Sequence, residues 1–243
     1  MKNHEIFSDL KVLAPVVVRI DGRDFKHELK RLSLEKPYDE RFARAMADSS
    51  ELFLKKSGIE PLFLYTFSDE VNIFFLGNLP FNGRLEKLDS VIPSFFSSAL
   101  TVFLDLKSAI SFDSRVIPIC QDNLNEYMAW RQAEAWRNHI NSYAYYTLIE
   151  SSGKREAIKK LKGMNSAQIH DMLFLRGINL NNTPKWQRRG ILVAKESYEK
   201  EGYNPKLDKK EITFRARVTQ NWEVPIFRSE DGKKFIEGLI GGA

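Results

Sequence analysis

Apolar residues along the chain fall into runs too continuous for solvent-facing strands, separated by stretches with helical spacing. "PVVVRID", residues 15–21, is β-branched and almost unbroken, as a strand covered on both faces would be. The polar, glycine-led "GRDFKHELKRLSLEK" after it predicts a loop. "PYDERFARAMADSSELFLKKSG" predicts a helix: Pro37 suits the first turn, Asp39 and Glu40 complement the helix dipole, and Gly58 closes the end. Its inward face runs through Phe42, Met46, Ser49 or Ser50, and Phe53. Two apolar strands, "LFLYTF" and "VNIFFLG", are then joined only by Ser68, Asp69 and Glu70. "SVIPSFFSSALTVFLDLKSAI", residues 90–110, contains Pro93, Asp105, Lys107 and several serines, and predicts a buried helix rather than a membrane span. "SRVIPIC", 114–120, predicts a further strand with Cys120 in the core.

This order is βαββαβ, the split unit of ferredoxin-like α+β folds. In that topology strands one and two run parallel with strand three antiparallel between them. The end of strand one therefore lies beside the turn joining strands two and three, and Asp21 becomes a neighbour of Asp69 and Glu70. Beyond it, "NEYMAWRQAEAWRNHINSYAYYTLIE" predicts one long helix over 125–150. Shorter helices are expected at 154–162 and 166–176, with Asn165 or Ser166 as a cap. "NLNNTPKWQRRG" predicts a loop, and "ILVAKES" and "ITFRARV" predict strands. The expected division is a palm-like catalytic core over 1–150 and a helical, basic elaboration over 151–243.

Composition narrows the class. Apolar residues are 43% of 243, enough for a real core rather than a disordered chain. One cysteine forbids an internal disulfide, and the first ten residues lack an apolar signal core, so a reducing cytoplasm is expected. A formal charge of +5 is informative only where basic residues cluster. They do so at Arg131, Arg137, Arg155, Lys159, Lys160 and Lys162, and again at Lys185, Arg188 and Arg189 around Trp186. That interleaving suits a nucleic-acid backbone and stacked bases, although a charge run is also what a solvated helix face looks like.

Two or three carboxylates converging at a strand end repel one another unless cations fill the gap. Oxygen ligands without a cysteine or histidine pair favour Mg²⁺ over zinc, and two such ions suit in-line displacement at phosphorus. "IDG" and "SDE" are equally the composition of ordinary solvated turns, so both readings stand on these residues alone. Gly22 lets a backbone carbonyl approach a cation. No P-loop or dinucleotide-binding glycine pattern is present.

"VVRIDGRDF", "EKPYDERF", "TFSDEVNIFF", "FDSRV", "WRQAEAWRNHIN" and "WQRRG" together resemble, in order and over residues 15–196, the histidine-tRNA guanylyltransferase family. The resemblance implies a polymerase-type palm that adds nucleotides to the 5′ end of tRNA in the 3′-to-5′ direction. It uses two Mg²⁺ ions and consumes ATP and GTP or other nucleoside triphosphates. It would make Asp21, the Gly22 carbonyl and Asp69 the metal ligands, with Glu70 supporting or sharing the ions. Lys36 and Ser68 would serve activation of the 5′-phosphate, with Asp39 in the same nucleotide-binding segment. Arg19, Arg23 and Arg115 match basic positions near the triphosphate. Arg131, Gln132, His139, Asn141, Lys185, Arg188 and Arg189 would contact tRNA. Where guanylyltransferases read "HINNLYN" this chain reads "HINSYAY", as do the archaeal and bacterial guanylyltransferase-like proteins. That variant implies templated 5′-end repair, with histidine-tRNA guanylation as the alternative. A homo-oligomer, dimer or tetramer, is expected. A nucleotide cyclase shares the two-metal palm but needs no basic RNA surface. A non-catalytic RNA-binding sheet would display aromatic rings on its face rather than carboxylates at its end.

Overall fold

Among the described residues six strands form one antiparallel sheet, in which the fourth, first, third, second, fifth and sixth of the chain lie side by side in that order. A computed structural model describes residues 4–204 and 209–241. The strands are β1 (Val16–Arg23), β2 (Phe63–Phe67), β3 (Glu70–Phe75), β4 (Ser111–Pro118), β5 (Ile191–Asn204) and β6 (Lys209–Asn221). β3 lies antiparallel between β1 and β2, with Asp21 opposite Glu70 and Phe67 opposite Glu70 on the other side. The split βαββαβ arrangement expected from the sequence is thus present, and β5 extends it by pairing with β2 through Ile191–Ala194.

Unbroken apolar strands arise because both faces of the sheet are covered. Val16, Val18 and Ile20 point into one cluster with α2 (Glu40–Lys56) and α3 (Leu85–Phe103), while Val17 faces the other. That second cluster joins Phe63, Tyr65, Phe67 and Phe74 to α4 (Leu124–Lys162) and α7 (Glu230–Gly241). α4 is interrupted at Gly153, whose φ of 74° no other residue type adopts as readily. Before that break the helix carries a third cluster, in which Ile140 and Ala144 meet Ile169 and Leu173 of α5 (Ser166–Leu175). Asn165 caps α5 in a reciprocal box with Gln168. A short α6 (Lys185–Arg189) sits inside the segment read as loop. Among the described residues no helix is long and apolar enough to cross a membrane.

Several local expectations are corrected. Residues 25–31 form a helix, α1 (Phe25–Arg31), because Phe25 and Leu29, four apart, pack together on the first cluster. The apolar helix begins at Leu85 and ends at Phe103, before Asp105 with its φ of 47°. Asp39 is the N-cap of α2, accepting from the Arg41 amide at 2.8 Å, so Pro37 lies outside the helix. β4 ends at Pro118, and Cys120 is exposed rather than in the core.

Candidate active site

The turn between β2 and β3 brings the carboxylates together. Ser68 holds a φ of 51°, costly for a residue with a side chain and concentrated at functional sites. Its Oγ donates to Asp69 Oδ1 at 2.9 Å, and the Asp69 carbonyl accepts from the Gly22 amide at 3.1 Å. Asp21, near the end of β1 with Glu70 and Asp113 as its Cα partners, therefore lies beside Asp69. Burial, then Asp69 and then Asp113, raise the Asp21 carboxyl above the usual carboxylate range. The residues fit a magnesium site. They offer carboxylate oxygens close enough for Asp69 and Asp113 to disfavour the Asp21 charge, and a Cβ on Gly22 would come within 2.6 Å of the buried Phe25 ring, keeping this backbone bare. Among the described residues no group of three His, Cys, Asp or Glu forms a closed metal cage. Mg²⁺ rarely needs one, since one or two carboxylates plus substrate phosphates suffice.

Next to this turn opens a cavity of about 740 Å³. Ser68, Lys36, Asp39 and Tyr38 line one side, and Asn138, Asn141, Ser142, Tyr145 and Tyr146 of α4 line the other. Lys36 Nζ lies 5.7 Å from the Tyr146 ring centroid, holding a cation against the wall. Asp39 itself is committed: Oδ1 accepts from the Arg41 amide and Oδ2 accepts from the Glu35 amide, both at 2.8 Å. Its carboxyl is lowered to about 2, first by the Arg41 side chain. Asp39 thus fixes the loop carrying Lys36 while lining the cavity itself.

On the neighbouring face Arg19 stacks over Trp130 at 5.5 Å, while Arg115 lies largely in solvent, 3.8 Å from Asp113. Arg23 is exposed at the end of β1. Glu70 is buried and engaged by protein partners. Its Oε1 accepts from Arg131 Nε at 2.9 Å and Asn72 Nδ2 at 2.8 Å, and its Oε2 accepts from Arg131 Nη2 at 2.7 Å. Three hydrogen bonds thus hold this carboxylate against Arg131 and Asn72. The same bonds remove Arg131 from the RNA surface, where it was expected. Gln132 is also internal: it donates to the Pro225 carbonyl at 2.9 Å and accepts from the Phe227 amide at 2.8 Å. Lys185 pairs with Glu223 at 2.6 Å. Asn141 belongs to the cavity wall rather than to a separate RNA surface.

His139 is fully buried among Tyr38, Trp136 and Tyr143, its Nε2 3.1 Å from the Thr183 hydroxyl and its Nδ1 unpartnered. It cannot read a base from there. Burial, followed by Arg188 and His170, lowers its pKa to about 4. The unfolded chain takes up this proton near the ordinary value, about 6.5. Stability is therefore full above that value and falls as pH drops towards 4, by about 3 kcal/mol in the limit. Urea titrations between pH 7 and 4 should show this slope in the parent, and a His139→Gln variant should have lost it.

Two residue sets were missed from sequence. Asn72 and Tyr127 complete a chain from Glu70, with the Tyr127 hydroxyl donating to Asn72 Oδ1 at 2.7 Å. Ser142, Tyr145 and Tyr146 line the cavity; their signal was the three- and four-residue spacing from Asn138 and Asn141.

Comparison with known proteins bears on this arrangement. A family model described as tRNAHis guanylyltransferase matches residues 1–120, and one for the Thg1 C terminal domain matches residues 122–229. A probable tRNA(His) guanylyltransferase of Dictyostelium discoideum is 31% identical over 193 residues, 74% of this chain and 75% of that one. The chain belongs to the tRNA(His) guanylyltransferase family. It is accordingly a 3′-to-5′ nucleotidyltransferase. Among solved structures, a bacterial tRNA(His) guanylyltransferase (Thg1)-like protein in complex with ATP superposes with a TM-score of 0.79. It is 25% identical and the match covers 99% of this chain and 97% of that one. A bacterial Thg1-like protein in complex with GTP gives 0.76 at 26% identity, covering 99% and 96%. The agreement with these two bacterial proteins runs nearly end to end.

Proposed function

We propose that this family member is a magnesium-dependent enzyme that repairs the 5′ end of tRNA by templated nucleotide addition, activating the 5′-phosphate with ATP or GTP. The observation that carries the reading is the meeting of Asp21 and Asp69 beside a cavity furnished with Ser68, Lys36 and Asn141. Asp21, Asp69 and the Gly22 backbone would hold Mg²⁺, which when bound supplies a lowered pKa for the attacking 3′-hydroxyl and charge for the leaving oxygen. Ser68 orients Asp69 through its hydrogen bond. Lys36 meets a nucleotide phosphate as a point charge, and Tyr145 and Tyr146 offer ring surface to a base. Arg19 and Arg115, opposite one another on β1 and β4, face a triphosphate beside Asp21, with Arg23 at the same strand end. The single cysteine suits a reducing cytoplasm.

Repair is favoured over guanylation by the departures in "HINSYAY". Ser142 and Tyr145, standing where the guanylyltransferase pattern has asparagines, line the cavity itself, so the changed residues bear on the nucleotide. The end-to-end likeness to bacterial Thg1-like proteins points the same way. The test offers all four nucleotides to intact histidine tRNA and to a truncated tRNA of another identity. Templated addition to the truncated tRNA is expected. Guanylation of the first with nothing added to the second would reverse the assignment.

Lys36→Ala should cripple reaction of 5′-monophosphate tRNA while sparing much of the reaction of 5′-triphosphate tRNA, which arrives already activated. Single-turnover rates on the two substrates measure this, and an equal loss on both would place Lys36 in the addition step instead.

A further inference from the structure

α4 has two working faces. Asn138, Asn141 and Tyr145 look into the nucleotide cavity, whereas Gln132 and Trp136 project on the opposite side, roughly half a helical turn away. There they border a second cavity of about 300 Å³, whose other walls include Asn181, Arg188, Arg189 and Arg228. Three arginines and no carboxylate line it. Among the described residues neither Arg188 nor Arg228 forms an ion pair. Arg188 Nε is buried with no hydrogen-bond partner in the protein, a donor whose acceptor has to come from outside the chain.

The cavity is built rather than incidental. Gln132 pins the 225–227 segment through the Pro225 carbonyl and Phe227 amide, which sets Arg228 at the rim. The Tyr65 hydroxyl donates to the Arg189 carbonyl at 2.8 Å, and Arg189 Nη1 donates to the Val224 carbonyl at 3.3 Å. Gly190 makes the close approach possible, since a Cβ there would lie 2.6 Å from the Tyr65 ring. Trp136 is already stacked by His139 at 5.5 Å and packed by His170, so it forms a wall, not a platform for a base. The ligand is therefore recognised through its phosphate. Planar guanidinium forks converging on one small cavity match phosphate oxygens in geometry and charge.

We propose that this second cavity grips a backbone phosphate of the tRNA, on the side of α4 opposite the nucleotide site, with Arg188 and Arg228 as its principal contacts. The inference rests on tRNA being the substrate. Such a contact positions the RNA and carries no sequence information.

The test is a binding measurement that needs no chemistry. tRNA affinity is followed against salt for the parent, Arg228→Ala and Arg188→Gln, with thermal melting as the folding control. Each variant should bind tRNA several-fold more weakly and lower the salt slope by about one unit. KM for tRNA should rise while KM for ATP and turnover hold. A raised KM for ATP with unchanged tRNA binding would assign the cavity to a free nucleotide's phosphates and overturn the proposal. Unchanged affinity and slope in Arg228→Ala, an exposed position whose loss leaves folding intact, would overturn it too. A parent that fails to bind tRNA at all would instead remove the substrate reading on which it rests.

Discussion

Asp21→Ala and Asp69→Ala are each expected to abolish nucleotide transfer, with tRNA affinity staying within a few-fold of the parent. Both carboxylates meet beside the β2–β3 turn, where the Gly22 amide donates to the Asp69 carbonyl. Removing either takes away an oxygen ligand for the proposed Mg²⁺, whereas the arginines proposed to meet RNA phosphate lie in the second cavity. Stability separates a chemical role from a structural one. Burial and two neighbouring carboxylates disfavour the Asp21 charge, so Asp21→Ala should melt at or above the parent temperature. Loss of activity with retained or raised Tm is the expected pair of results. Near-parent turnover with Mg²⁺ in either variant would refute the assignment. Lost activity with a sharply lower Tm in Asp21→Ala would show that it supports the fold.

The largest stability effect should come from the Glu70–Arg131 pair. Both side chains are 9% exposed and joined by two parallel bonds, so each compensates a charge that would otherwise be buried alone. Breaking such a pair from one side costs about 3–5 kcal/mol. For a chain of this size that is a fall in Tm of roughly 10 °C. Arg131→Met should show it, because it strands Glu70 next to Asn72 and the Phe67 ring. Glu70→Gln combined with Arg131→Met should lose less than the two single changes added together, since the stranded charge is gone. The same variants discriminate the roles. If Arg131 met tRNA phosphate, Arg131→Met would leave Tm in place and flatten the salt dependence of binding. Thermal melts and salt titrations on the one set of proteins decide between the two.

The legible part of this protein is the part governed by chain-local physics. β1, β2 and β3 announce themselves because strands covered on both faces need apolar residues at every position, and α2 because its apolar spacing is local, although its N-cap falls at Asp39, past the expected start at Pro37. From their order alone, the connection rules place Asp21 beside Asp69, and the Gly22-to-Asp69 hydrogen bond is that juxtaposition made visible. What the sequence could not decide was which polar groups face the substrate and which face each other. Glu70 adjoins Asp69 in the chain, but strand alternation sends it with Asn72 and Phe74 towards α4, where a residue 61 positions away completes its charge. Arg131, Gln132 and His139 read as basic or polar residues on a helix. Only the packing of β3, α6 and the 225–227 segment against that helix shows them to be internal. The two cavities on opposite faces of α4 are likewise invisible in one dimension, because each is closed by segments from distant parts of the chain. A charge has the same letter whether solvated, paired or waiting for a phosphate. Its partners, set by tertiary contacts, determine which of these it is.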